Sequence, residues 1–154
     1  MLRLKILAST LPLLLAAVYA RGDLVASHPC ISTGESSVQL ATAPWQAQST
    51  VAFTDDPAHA TVRVQIVDSA DTADFAVVDD VDSPDPGACA VTAATRFIAI
   101  SRSPASTAPL IYLSNEPDAD YRIFVQSRSF TPRDAAALIV GANPGRGRMA
   151  QAAL

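Results

Sequence analysis

Four aspartates crowd into seven residues of this chain. They are Asp79, Asp80, Asp82 and Asp85, with Gly87 close behind. Carboxylates at near-alternate positions can converge on a hard cation, and Ca²⁺ is the ion that such oxygen donors suit. The calcium loop of a helix-loop-helix site wants acids at positions 1, 3 and 5, glycine at 6 and glutamate at 12. DVDSPDPGACAV supplies acids at 1, 3 and 6, glycine at 8 and no glutamate, so the match is partial. A solvated acidic turn capping a strand explains the same residues. Asp55, Asp56 and His59 form a second cluster able to lend one or two ligands, short of the three or four a transition metal needs. His28, beside Pro29 and Cys30, falls short in the same way.

Other chemistries lack their parts. No serine sits on a G-x-S-x-G elbow, and STGESS offers no histidine in the expected context. There is no glycine-rich phosphate loop. Glu35 and Glu116 are the only glutamates, and nothing in their spacing pairs them as acid and base. The expectation is therefore a protein that is not an enzyme and carries no cofactor. Cys30 and Cys89 are the only cysteines, and in an exported chain two thiols pair. Their bridge would close a loop of about 60 residues, worth up to ~4 kcal/mol by chain entropy.

Export is read from the first twenty residues. Arg3 and Lys5 make a positive start, Ile6 to Ala17 is almost wholly apolar, and Val18-Tyr19-Ala20 fits a cleavage site between Ala20 and Arg21. The apolar run is short for a bilayer and Pro12 interrupts it, so no stable membrane anchor is expected after cleavage. All 15 acids lie beyond the leader, whereas two of the 11 bases leave with it, which moves the net charge from −4 to −6. An acidic chain with scattered arginines is a poor nucleic-acid binder. The expected location is the periplasm or the medium, and the partner such a chain would meet is an envelope protein.

The elements that must position these residues announce themselves by alternation. Six short runs begin at Ala47, Ala60, Ala73, Ala94, Ala108 and Ala119, 13, 13, 21, 14 and 11 residues apart. Within them Val62, Val64 and Ile66 alternate with Arg63 and Gln65, and Tyr121, Ile123 and Val125 with intervening positions that carry Arg122 and Gln126. Ile98 and Ile100 follow the same beat. Period two with β-branched and aromatic residues predicts strands with one buried face. Ala76 and Val78, Phe97 and Ala99, and Ile111 and Leu113 make the other face apolar in the third to fifth runs, predicting cover on both sides there. Asp-, Ser- and Pro-rich links of about five residues read as hairpin-length turns. Arg63, Arg96, Arg122 and Arg128 fall on or beside strands, either as ordinary solubilising charge or as a stripe for an anionic partner. The aromatic residues are expected to pack the core, except Trp45, which stands before the first run.

Thr131-Pro132-Arg133-Asp134 predicts a helix start, with Ala135, Leu138, Ile139 and Ala142 at helical spacing and Gly141 as a stop. The helix expected spans about Pro132 to Val140 and lies over one end or face of the sheet. The fold class is mainly β: about six short strands in tandem strand-turn repeats, as a small barrel or compact sheet, with one C-terminal helix. The domain plan is a leader at 1–20, an irregular segment at 21–43, one repeat domain at 44–142 and a tail at 143–154 expected to stay disordered.

The wording VQIVDSADTADFAVVD, with V-D-x-x-x-x-A-D at its centre, resembles a family of small proteins made of tandem strand-turn units. The resemblance spans Ala47 to Gln126 and is closest over 58–80 and 119–126. It implies a β-rich repeat body, in some members knotted, and carries no activity with it. From residues and resemblance together the expected role is a structural or interaction protein working through a surface, such as an edge strand. The alternative is a Ca²⁺ or small-ligand module at Asp79, Asp80, Asp82 and Asp85.

Overall fold

A computed structural model describes residues 29–33, 36–79, 89–103 and 105–143. The leader with its Ala20–Arg21 junction, His28, and Asp80, Asp82 and Asp85 lie outside the described residues. Eight strands form one sheet: β1 (Cys30–Thr33), β2 (Ser36–Leu40), β3 (Ser49–Phe53), β4 (Val62–Val67), β5 (Phe75–Val78), β6 (Thr95–Ile100), β7 (Leu110–Ser114) and β8 (Tyr121–Gln126). One helix, α1 (Pro132–Ala142), follows them. The six alternating runs supply β3 to β8. The other two strands, CIST and SSVQL, lie in the segment expected to be irregular, so the strand count of six is corrected to eight. Neither carries the apolar alternation that marks the rest.

The spatial order is β1-β2-β6-β3-β7-β4-β8-β5. Among the described residues only β1 and β2 are antiparallel; the six other ladders are parallel. This corrects the expectation of hairpins. Parallel neighbours ordinarily need a long crossover because the chain must travel back along the strand. Stagger removes that need here. Leu40 and Ser49 both pair with Ile98, Phe53 and Val62 both pair with Ile111, and Ile66 and Phe75 both pair with Ile123. A strand thus starts at about the height where its predecessor ends. Each connector only steps sideways across one intervening strand, about 10 Å, and six to nine residues suffice. The connector tips, such as Asp55–His59 and Ser69–Thr72, are exposed, so the crossings run over the outer face. The chain lays β2 to β5 with gaps, then threads β6 to β8 into them.

Such stagger tilts the strands and curls the sheet toward a barrel. Helix α1 fills the inside. Ala135 to Gly141 are seven consecutive buried residues, two full turns with no wet face, which places the helix within the core rather than upon it. Around it pack Val38, Val51, Val62, Val64, Ile98, Ile111, Tyr121 and Ile123. Val64, Ile98 and Ile123 are 0% exposed, as their alternation requires.

The helix start is a capping box: the Asp134 N–H donates to Thr131 Oγ1 at 3.1 Å, and the Thr131 N–H donates to Asp134 Oδ2 at 3.1 Å. Its end differs from expectation. The helix runs through Gly141 to Ala142, and Gly141 serves close approach: a Cβ there would lie 2.6 Å from Ile98 Cγ2. Arg96 Nη1 donates to the Ala142 carbonyl and the Tyr121 hydroxyl to the Asn143 carbonyl, both at 3.0 Å. These bonds satisfy carbonyls that the last turn leaves open.

Candidate functional site

The sheet stops short of closing. Its two edges, β1 with β2 on one side and β5 on the other, face each other across a cleft of about 140 Å³ floored by α1. The walls are Ile31 and Val38, Phe75 and Val77, and the floor is Leu138, Ile139 and Ala142; Ser32 and Asn143 add polar groups. None of the described lining residues is ionisable. Its volume is below the several hundred Å³ typical of small-molecule sites and suits one or two apolar side chains.

Each wall is built for a local reason. Phe75 leans on buried Tyr121, ring centroids 6.0 Å apart, which holds β5 against β8. The opposite wall is held by the Cys30–Cys89 disulfide, present as the pairing of the two thiols requires. Gln39 supports it twice. Its backbone is the register partner of Cys30, and its side-chain Nε2 donates to the Cys89 carbonyl at 2.8 Å. Gln39 is buried, and its Oε1 has no hydrogen-bond partner among the described residues. A disulfide of this kind is compatible with an oxidising compartment outside the cytoplasm. No helix among the described residues is long and apolar enough to cross a membrane.

The acidic candidates separate. Asp79 is at the end of β5, where its Oδ2 accepts the Arg128 N–H at 2.6 Å and its Oδ1 accepts the Ser127 hydroxyl. The Arg128 backbone N–H foremost, then the Ser127 hydroxyl, hold this carboxyl below the ordinary aspartate value. Asp56 Oδ2 meets His59 Nδ1 at 2.9 Å, and its Oδ1 accepts the Ala58 N–H, a solvent-exposed turn. Asp55 joins neither contact. Among the described residues no three His, Cys, Asp or Glu side chains stand close enough to hold a metal ion.

Arg96 does not share the outer face with Arg63 and Arg122. Arg96 points inward to the end of α1, while Arg122 on the outer face forks onto Asp74, Nη2 to Oδ1 at 2.9 Å. The cover predicted over the far face of β5 is also absent: Ala76 is exposed and Val78 is 57% exposed. Trp45, on a 3-10 turn before β3, is 86% exposed, as its position suggested.

A set of positioning residues escaped the sequence reading. Just before β3, β4, β5 and β8 stand Gln48, Thr61, Asp74 and Asp120. Their side chains accept the backbone N–H of Phe97, Leu110, Arg122 and Arg63 respectively, and their own N–H groups donate to the carbonyls of those same residues. Each continues a ladder one step beyond the strand with a side chain in place of a peptide. The signal was visible as a polar acceptor immediately after the alanine that opens each of these four runs.

Comparison of the chain with protein-family models, with curated proteins and with solved structures finds no match.

Proposed function

We propose that this chain is an exported, non-enzymatic interaction domain that seats an apolar side chain of an envelope protein in the cleft between β1 and β5. The observation that carries this reading is the cleft itself: apolar on walls and floor, without an ionisable side chain among its described lining residues, and of side-chain rather than cofactor size. The apolar anchor in a small desolvated pocket is the common energetic centre of protein interfaces. The cystine on one wall and the leader at residues 1–20 support action in the periplasm or outside the cell.

The test is capture from an envelope extract with the purified chain, beside two variants. Ala76→Arg places a charge at the exposed rim of the cleft, and Trp45→Ala removes a large apolar group elsewhere on the surface. A partner held by the parent chain and by Trp45→Ala but lost by Ala76→Arg supports the reading. A chain that retrieves nothing, or the same proteins with Ala76→Arg, overturns it.

A further inference from the structure

Apart from the β1–β2 pair, every ladder among the described residues joins a strand that ends by Asp79 to one that begins after Cys89. β6 lies between β2 and β3, β7 between β3 and β4, and β8 between β4 and β5. The molecule is thus two combs. The first, β1 to β5, presents lanes one strand wide; the second, β6 to β8 with α1, fills those lanes and the interior. The side-chain contacts that extend the ladders also run from comb to comb, Asp74 to Arg122 and Asp120 to Arg63 among them. Apart from the β1–β2 ladder, neither comb satisfies its own strand backbone among the described residues, which makes each obligatory for the other.

Nothing in these ladders distinguishes a chain's own second comb from that of a second copy. Only covalent bonds do. One is the chain between Asp79 and Cys89, and the other is the cystine. With Cys89 bonded to Cys30 on β1, Thr95 at the start of β6 is six residues away, a reach of about 20 Å when fully extended. An oxidised chain can therefore insert its second comb only into its own first comb. A reduced chain is limited only by the effective concentration that its tether sets, which for a tether of this length is about millimolar.

We infer that this chain exchanges its second comb with a second copy of itself, forming a two-fold swapped dimer, and that the Cys30–Cys89 bond within one chain confines it to the monomer. The contacts made on exchange are the same as those lost, which is why swapping is a low-cost route to a dimer.

The test mixes equal amounts of unlabelled and ¹⁵N-labelled full chain. The mixture is unfolded in guanidinium with dithiothreitol, then refolded near millimolar concentration and again at high dilution. Reoxidation uses glutathione disulfide, each new cystine consuming one molecule and releasing two of reduced glutathione. Light scattering on a sizing column gives the mass, and mapping of the Cys30–Cys89 peptides gives their isotopes. The result expected is a dimer from the concentrated arm in which about half of the cystine peptides carry one light and one heavy partner, the share random pairing gives. The dilute arm gives monomer with unmixed peptides, and a chain kept oxidised throughout gives monomer at both concentrations. Monomer alone from the concentrated arm, a dimer with unmixed peptides, or dimerisation of the chain kept oxidised would each overturn the inference.

Discussion

Gly141 and Ile98 leave no room between them. A Cβ built on the glycine would lie 2.6 Å from Ile98 Cγ2 and 3.0 Å from Cδ1, and Ile98 is itself wholly buried. Alanine is the better helix former by up to ~1 kcal/mol. Here the contact wins, because the branched atoms it strikes are enclosed and cannot swing into solvent. Gly141→Ala is expected to destabilise the fold by about 1–3 kcal/mol. Adding Ile98→Ala, which removes Cγ2 and Cδ1 alike, should relieve the contact, so the double variant should be more stable than the sum of the singles. A double-mutant cycle by urea denaturation checks it; simple additivity would place the cost elsewhere.

Asp120 and Asp74 extend ladders through their carboxylates. Asp120 Oδ2 accepts the Arg63 N–H at 2.7 Å, and Asp74 Oδ2 accepts the Arg122 N–H at 2.9 Å. Alanine at either site should cost about 1 kcal/mol, the usual net worth of such a bond near solvent. Asn keeps an acceptor oxygen, so Asp120→Asn should lose less than Asp120→Ala. The urea midpoint should shift with the slope unchanged, since the compactness of neither state is altered. Equal losses from Asn and Ala would show that the acceptor is not what matters.

Asp79 makes acid stability pH-dependent. Its carboxyl is held below the ordinary aspartate value of 3.8 in the folded chain by the Arg128 N–H and the Ser127 hydroxyl. The stabilisation is therefore complete above the unfolded value and is lost as pH falls through the lower, folded one. Between pH 5 and the acid limit, Asp79→Asn should flatten the fall in stability relative to the parent. Denaturation midpoints across that range give the comparison. Parallel profiles would mean that other carboxylates carry the acid response.

The cystine closes a ring across 59 residues of sequence. Reduction, or Cys30→Ser with Cys89→Ser, should lower stability by up to ~4 kcal/mol, because the open chain regains the entropy that the ring removes. Thermal unfolding with and without dithiothreitol measures it. A shift of a degree or less would show that β1 and the Cys89 turn contribute little to the cooperative unit.

Folding itself should be slow for so small a chain. The parallel ladders join strands some 50 residues apart, as in Gln48 with Phe97, 49 residues apart, or Arg63 with Asp120, 57 apart, and no hairpin of the central sheet can form first. Loop closure must be met before those pairings reward it. Refolding is expected in the range of milliseconds to seconds or slower. Stopped-flow fluorescence of Tyr121 is masked by the other aromatics, so far-ultraviolet circular dichroism is the better probe. Microsecond refolding would contradict the threaded order.

Much of the body was legible from residue order. Alternation at Val62, Val64, Ile98, Tyr121 and Ile123 identified buried faces, since period two is a property of any extended strand. Thr131 with Asp134 marked the helix start, because a capping box is made by residues three apart. The two thiols named their own bond. β1 and β2 were hidden, because Ser36–Leu40 and Cys30–Thr33 owe their extended form to a neighbour and not to their own pattern.

Direction and order belonged to the tertiary structure. Side-chain alternation is the same in parallel and antiparallel sheets, and a connector of six to nine residues reads as a hairpin unless the stagger of its strands is known. That stagger arises only when β6, β7 and β8 enter the gaps. The cleft has the same origin: Ile31 and Val38, Phe75 and Val77, and Leu138 and Ile139 come from three distant stretches, joined only by the curl of a sheet that does not close. Local chemistry determined which residues seek the interior; long-range pairing decided which of them would meet.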